Sequence, residues 1–233
     1  MMSINTSEIS IGEIVALDFR AASIFKESGI DFCCGGKKSL MEACHEKNIK
    51  PETIEIQLKK LEAEALDPAH NFNEWELGFL SDYIMNTHHK YVLKSLPDLL
   101  FYTQKIASVH GEHHPELIAV AQSFAKIHDE LLLHLDNEEK VLFPAIREVI
   151  RTQAFQAKAV IISEIERMQG EHEFAGGEMD RINVMTAGYF LPEGACATYA
   201  LTFKLLQQFE DDLHIHVHLE NNILYPKALK LAN

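Results

Sequence analysis

One short pattern occurs twice in the chain, and it constrains the fold more than any other feature. The first copy, at residues 134–144, reads HLDNEEKVLFP, and the second, at residues 216–226, reads HVHLENNILYP. Each begins with His-x-x-x-Glu and ends with an aliphatic pair, an aromatic residue and a proline. Residues four apart on a helix share one face, with Cβ atoms about 5–6 Å apart, so an imidazole and a carboxylate can converge on one cation. Two such helices facing each other predict a metal site inside a helix bundle.

Four long helices are predicted in the C-terminal two thirds of the chain, because apolar residues recur there at helical spacing. The breaks between them are short and carry glycine or proline, which favours antiparallel neighbours. No strand pattern competes with this interpretation. The helices are predicted at about residues 73–109, 115–151, 154–187 and 195–229.

The N-terminal part predicts a smaller unit of short helices. A first helical stretch ends at Ser28-Gly29 and is followed by a compact turn, Asp31-Phe-Cys-Cys-Gly-Gly36. Further helices are predicted to begin near Ser39 and at Pro51, and Asp67–Asn71 is predicted to be a linker.

The composition limits the classes of partner and location. A formal net charge of −14 argues against nucleic acid and anionic membrane surfaces, because like charges repel. No apolar run approaches the ~20 residues of a membrane span, and the N-terminus lacks a basic signal-peptide region. Four cysteines, two of them adjacent, form no disulfide framework. We therefore expect a cytoplasmic protein with no nucleic-acid or membrane partner.

The first and third predicted helices must complete the metal shell. His172 stands on the third helix, and His88 and His89 stand on the first. His89 continues the apolar stripe that contains Leu96, which favours it only slightly, so period alone leaves both histidines open. One lone histidine and one His-x-x-x-Glu pair from each half give four imidazoles and two carboxylates. That set is sufficient for two irons with coordination positions left open.

Together with the Cys-Cys turn, these residues resemble the iron–sulfur cluster repair di-iron proteins, the RIC or ScdA/YtfE family. The resemblance implies an all-α fold, with a small helical ScdA_N-like domain at residues 1–66 followed by a haemerythrin-like four-helix bundle at residues 73–231. It implies two non-haem iron ions, bridged by oxo and carboxylate groups. The segment Leu96-Pro-Asp-Leu99 points to His89 rather than His88. The implied ligands are His89, His134, Glu138, His172, His216 and Glu220, with both glutamates bridging the irons.

The family resemblance also implies a function, namely repair of iron–sulfur clusters damaged by nitrosative or oxidative stress, with iron supply as one mode. Damaged iron–sulfur proteins are then the expected clients, and an electron donor and a homodimer stay open as further partners. Two alternatives remain, and whether the protein is an enzyme is left open. The first is a di-iron nitric oxide reductase or peroxide scavenger, and the second is a haemerythrin-type sensor of oxygen or redox state.

The adjacent cysteines carry a further hypothesis. Cys33 and Cys34 lie beside two glycines and two lysines, Lys37 and Lys38, where positive charge would favour thiolates. We expect a redox or iron-transfer role, although adjacent cysteines can also act as small buried apolar residues. His214 and His218 are expected at the bundle surface, since His216 faces inward.

Overall fold

A computed structural model describes residues 9–62 and 70–233 of the chain. Within those ranges the protein is helical and forms no β-strand, which confirms the all-α prediction. The chain divides into two compact units, one of Met1–Ser81 with Ile215–Asn233 and the other of Asp82–His214. The predicted linker falls, up to residue 69, outside the described residues. The predicted domain limits, 1–66 and 73–231, stay predictions.

Short helices make up the N-terminal part of the first unit. Two of these helices begin with a Ser-x-x-Glu capping box, at Ser10 and at Ser39. In each box the serine hydroxyl accepts a hydrogen bond from the backbone N–H of the glutamate, and the glutamate carboxylate accepts one from the serine N–H. The two caps lie side by side, because Ser10 and Ser39 form an isolated antiparallel bridge. The helices are α1 (Ile11–Leu17), α2 (Ala21–Glu27), α3 (Leu40–Glu46) and α4 (Pro51–Glu62), with 3-10 turns at Cys34–Lys37 and Phe72–Glu74.

The first predicted helical stretch is interrupted at Asp18. The Asp18 carboxylate accepts from the Arg20 backbone N–H at 3.1 Å and from the Arg20 guanidinium at 2.9 and 2.7 Å. A short acidic side chain that binds the local backbone competes with helix formation, so α1 ends at Leu17 and α2 begins afresh at Ala21.

The long helices agree with the predicted ranges. Helix α6 continues through Pro97. No helix of the described residues is long and apolar enough to cross a bilayer. The bounds are α5 (Leu77–Ile84), α6 (Lys90–His110), α7 (Glu116–Asn137), α8 (Phe143–Thr152), α9 (Phe155–Met185), α10 (Ala197–Leu219) and α11 (Tyr225–Ala232).

Three π-helical turns interrupt these helices, at Met85–His89, Glu138–Leu142 and Glu220–Leu224. Each begins or ends at a residue in the predicted ligand set. The second and third precede Pro144 and Pro226, near the start of α8 and α11. Proline has no backbone N–H, so it cannot donate the α-helical hydrogen bond to the carbonyl four residues before it. The repeated aromatic-proline pair therefore interrupts the regular α-helical hydrogen bonding. Wide turns of this kind are frequent at functional sites.

Packing of the Asp82–His214 unit rests on the apolar faces of α6, α7 and α9, with α7 against both of the others and α8 against α9. Leu96, Phe124, Ile127 and Ile165 are among the side chains buried there. Phe124 packs edge-on against Phe209 at a centroid distance of 5.6 Å. This core holds in place the helices that carry the candidate metal ligands.

Candidate metal centre

Four of the six predicted ligands meet within the Asp82–His214 unit. The Glu138 Oε2 atom lies 3.3 Å from His89 Nε2 and 3.4 Å from His134 Nε2. The His134 and His172 Nε2 atoms are 3.0 Å apart. None of the four residues is more than 1% exposed. Three helices thus bring three imidazoles and one carboxylate into a dry cluster.

Two outer carboxylates fix the orientation of two of these imidazoles. Nδ1 of His89 lies 2.9 Å from Glu139 Oε1, and Nδ1 of His134 lies 2.8 Å from Glu171 Oε2. An ionised carboxylate can only accept, so each imidazole donates its Nδ1–H outward and keeps the lone pair on Nε2. Carboxylates behind metal-binding histidines set the tautomer and raise ligand basicity in this way.

Glu171 is itself held in place from outside. The Arg167 guanidinium donates to its second oxygen at 3.0 Å. Although burial acts to raise the pKa of the Glu171 carboxyl, the hydrogen bond from His134 and the nearby positive charges outweigh burial and lower it. The carboxylate therefore stays ionised and continues to accept the His134 proton.

The inward arrangement fits a cation. With the Nδ1 protons directed outward, the Nε2 lone pairs of His89 and His134 point toward the Glu138 carboxylate. Lone pairs and a negative oxygen at 3.3–3.4 Å in a dry interior repel one another unless positive charge lies among them. Imidazole nitrogen and carboxylate oxygen are ligands that suit iron.

The remaining two predicted ligands lie in the unit that contains the N-terminal helices. His216 Nε2 is 3.0 Å from Glu220 Oε1, one helical turn further on, and neither residue is more than 1% exposed. All six predicted residues belong to buried histidine and glutamate groups that could hold a metal ion.

His88, the alternative ligand on the first long helix, has a different environment. Its Nδ1 atom lies 3.0 Å from Asp212 Oδ1 on α10, and its ring packs edge-on against Tyr83. His88 is buried like His89, so burial does not distinguish which of the two is the metal ligand. The π-helical turn at Met85–His89 directs only the second of them at Glu138.

The Cys33-Cys34 turn is organised by Asp31. One carboxylate oxygen accepts from the backbone N–H of Cys33 at 2.9 Å and from its thiol at 3.0 Å, and the other accepts from Gly35 N–H at 2.7 Å. The two sulfur atoms are 4.0 Å apart, and all four cysteines are free thiols. Cys33 is buried and Cys34 is partly exposed.

The expectation that lysines favour thiolates here is wrong for Cys33. The hydrogen bond with Cys34, burial and the charge of Asp31 raise the pKa of the Cys33 thiol well above its ordinary value. The Lys38 ammonium is bound to Glu46 at 2.6 Å. Cys33 is therefore a protonated, buried thiol, and Cys34 is the more accessible sulfur.

Asn222 is a site residue that sequence reasoning missed. Its Nδ2 atom lies 3.1 Å from the Phe32 carbonyl oxygen, 3.3 Å from that of Cys33 and 3.1 Å from His218 Nδ1. Asn222 thus ties the thiol turn to the π-helical turn that begins at Glu220. The available signal was the difference between the two copies, which read Glu-Glu-Lys in the first and Glu-Asn-Asn in the second.

His218 also departs from expectation. It is fully buried rather than at the surface, with its ring 5.7 Å from Phe32 and 6.3 Å from Phe19. Burial lowers the pKa of His218 from 6.5 to about 4, so the imidazole is neutral. His214 is only partly buried.

Comparison with known proteins places two family models on the chain. The haemerythrin HHE cation-binding domain matches residues 81–228, and the ScdA_N domain, described as a domain of unknown function (DUF542), matches residues 7–62. The chain is 34% identical over 221 residues to the iron–sulfur cluster repair protein YtfE of Pectobacterium carotovorum, covering 95% of this chain and 96% of that protein. It is 33% identical over 224 residues to the protein of that name from Yersinia pestis, with the same coverage.

Proposed function

Because this chain belongs to the iron–sulfur cluster repair family of the YtfE proteins, with an ScdA_N domain and a haemerythrin-like helical bundle, we propose that it repairs damaged iron–sulfur clusters by supplying iron. The observation that carries the proposal is the dry cluster of His89, His134, Glu138 and His172, in which outer carboxylates hold the Nδ1 protons of His89 and His134 away from Glu138. The clients would be proteins with nitrosatively or oxidatively damaged clusters in the cytoplasm.

We further propose that the protein binds two irons and that the six predicted residues supply ligands to them. The haemerythrin match extends over residues 81–228 and so includes both His-x-x-x-Glu pairs. Glu138 and Glu220 would supply the carboxylate ligands, and His89, His134, His172 and His216 would supply the imidazole ligands. Iron held by these residues would supply a redox-active metal.

The roles of the protein side chains in this proposal follow from their contacts. Glu139 and Glu171 hold the Nδ1 protons of His89 and His134, so both imidazoles present a lone pair without reorientation. The hydrogen bond from His134 and the charge of Arg167 keep Glu171 ionised. Only four imidazoles are available among the proposed ligands, and a mixed set of this kind keeps iron exchangeable, as donation of iron as cargo requires.

Iron content tests the ligand assignment. We expect two irons per chain after anaerobic purification and loading, and fewer than one in the Glu138→Gln/Glu220→Gln variant, which keeps shape but removes both negative charges. Glu173→Gln, an exposed change on α9, is the matched control. Unchanged iron in the double variant would refute the assignment.

Iron transfer tests the function. The loaded protein should rebuild a cluster in an apo-ferredoxin supplied with sulfide, at a rate that free Fe(II) in the presence of a chelator does not reach. Catalytic consumption of nitric oxide or peroxide without iron loss would favour the scavenging enzyme instead. Stable reversible oxygen binding would favour the sensor.

Cys33 and Cys34 are proposed to act in transfer rather than in holding the paired irons. Their side chains are organised by Asp31 and are not part of the ligand set. Cys34→Ser should slow transfer more than Cys33→Ser, because Cys34 is the accessible sulfur, and both variants should retain their iron. Loss of iron from Cys34→Ser would contradict this division of roles.

A further inference from the structure

The second copy of the repeated motif carries two interleaved pairs of residues that lie four apart. His216 and Glu220 are the proposed ligand pair, and their side chains are 3.0 Å apart. His218 and Asn222 form the other pair, with 3.1 Å between their side-chain nitrogens. Residues four apart share a face of a helix, whereas residues two apart do not face each other. The ligand pair and the His218–Asn222 pair therefore lie on different sides of the same helix.

The first copy of the motif uses the equivalent face differently. Asp136 and Lys140 stand where the second copy has His218 and Asn222. They form an ion pair whose side chains are 53% and 70% exposed. His218 is fully buried, and Asn222 is partly buried. One copy thus turns this face to solvent, and the other packs it against protein.

The thiol turn, residues 31–37, covers that face within the same compact unit. Its 3-10 segment Cys34–Lys37 packs against the π-helical turn Glu220–Leu224. The Asn222 amide nitrogen lies 3.1 Å from the Phe32 carbonyl oxygen and 3.3 Å from that of Cys33. An amide nitrogen carries two donor hydrogens, so one side chain can bind both carbonyls.

Cys33 reports on whether the thiol turn is closed. The residue is 5% exposed, and its sulfur lies 3.0 Å from Asp31 Oδ1, so a reagent reaches it when the turn opens locally. Opening would separate the Phe32 and Cys33 carbonyls from Asn222. Any change that stabilises the helix around Asn222 should therefore slow the reaction of Cys33.

The π-helical turn Glu220–Leu224 contains both Glu220 and Asn222 and so joins the two faces. A cation that binds the closed form of a site and not its open form stabilises the closed form by mass action. Metal held by His216 and Glu220 would stabilise this turn, and Asn222 would pass the effect to the thiols on its other side.

We propose that Asn222 is a positioning residue that couples metal binding at His216 and Glu220 to closure of the thiol turn. This inference rests on the proposed function, in which the ligand pair holds iron and the cysteines act in transfer. The thiol turn stays closed while iron is held and opens when iron leaves. Cys33 consequently becomes accessible only in the depleted protein.

Alkylation of Cys33 by N-ethylmaleimide tests this coupling. The full chain carries Cys34→Ser, which leaves one thiol in the turn, and peptide mass spectrometry follows the reaction anaerobically in iron-loaded and chelator-treated samples. We expect iron to slow Cys33 alkylation by about tenfold. Asn222→Ala should keep its iron but lose this difference. Lys140→Ala, at the equivalent position of the first copy, is the matched control and should keep the difference.

Three results would overturn the proposal. The first is equal alkylation of loaded and chelator-treated protein with Asn222 intact. The second is an Asn222→Ala variant in which both rates rise but their ratio is unchanged, as a merely structural role requires. The third is protection by iron that persists in Glu220→Gln, since iron would then act at the thiol itself. The first and third comparisons do not need Asn222→Ala to fold.

Transfer of iron to apo-ferredoxin is measured separately on the wild type and on Asn222→Ala. Failure of transfer in the wild type would count against the proposed repair function, whereas the alkylation ratio alone decides the coupling. If both proposals hold, Asn222→Ala should retain its iron and transfer it at a different rate from the wild type.

Discussion

The side-chain oxygen of Asn222 lies directly against the Cα of Gly12, in the space that a Cβ at that position would need. The same oxygen lies 2.5 Å from where a Cβ of Gly36 would stand. The amide nitrogen of Asn222 meanwhile lies within 3.1–3.3 Å of the Phe32 and Cys33 carbonyl oxygens. One amide therefore fixes the start of α1 and the thiol turn against the π-helical turn that contains Glu220.

Gly12→Ala should destabilise the protein for this reason. Alanine in a helix is ordinarily better than glycine by about 1 kcal/mol, but overpacking against a fixed side chain costs about 1–3 kcal/mol. We expect the free energy of unfolding, measured by urea denaturation, to fall by up to about 2 kcal/mol, the difference between these two effects. Gly78→Ala is the matched control, since that helical glycine has open space around its Cα and the change should stabilise.

A second variant shows whether Asn222 is the cause. Adding Asn222→Ala to Gly12→Ala removes the obstructing oxygen, so the double variant should lose less stability than the sum of the two single variants. Additive losses would mean that Gly12 is constrained by something other than Asn222.

The helices and the His-x-x-x-Glu residues could be predicted from the sequence, because apolar residues recur at helical spacing and the motif occurs twice. Apolar spacing gave the ranges 73–109, 115–151, 154–187 and 195–229, and the repeated motif singled out His134, Glu138, His216 and Glu220. The comparisons confirm the family to which these motifs pointed.

Features without a period could not be predicted. The spacing of apolar residues does not reveal a π-helical turn, although two such turns position the side chains of His89 and Glu138. The outward position of His218 was inferred from the face of an isolated helix, and the packing of Phe19 and Phe32 onto that face reverses it. The break at Asp18 depends on a side chain that competes with the helix, and propensity patterns alone do not resolve that competition.

Adjacent His88 and His89 should respond differently to alanine. His89→Ala should lose bound iron, because His89 Nε2 faces Glu138 at 3.3 Å. His88→Ala should retain iron but lower the melting temperature, because Asp212 would lose its imidazole partner in a largely buried position. The measurements are iron per chain and thermal unfolding on the same samples. A greater iron loss in His88→Ala would reverse the assignment.

Glu171→Gln should weaken iron binding without removing a ligand. The neutral amide no longer attracts the His134 Nδ1 proton as a carboxylate does, so Nε2 becomes a poorer donor. Loss of such an outer partner typically lowers metal affinity 10–100-fold. Competition with a chelator of known affinity measures the change. Glu173→Gln, exposed and two residues away, should leave the affinity unchanged. Equal affinities in the two variants would show that Glu171 is a surface ion-pair residue only.

His218 should make the metal-free protein sensitive to mild acid. Burial lowers its pKa from 6.5 to about 4, so between these values the unfolded chain binds a proton that the folded chain does not. Stability from this residue is therefore fully present above pH 6.5 and is lost as the pH falls toward 4. At pH 5 the loss amounts to about 2 kcal/mol.

His218→Gln separates this contribution from those of the other histidines, since glutamine does not titrate. We expect the wild type to lose about 2 kcal/mol more than His218→Gln between pH 7.5 and pH 5 in denaturant unfolding of the metal-free chains. The exposed His45→Gln variant should follow the wild type over this range. Parallel pH profiles for wild type and His218→Gln would mean that His218 takes up its proton in the folded protein. The contact of its ring with Phe32 would then not exclude charge, and the thiol turn would lie on a wetter surface than its burial indicates.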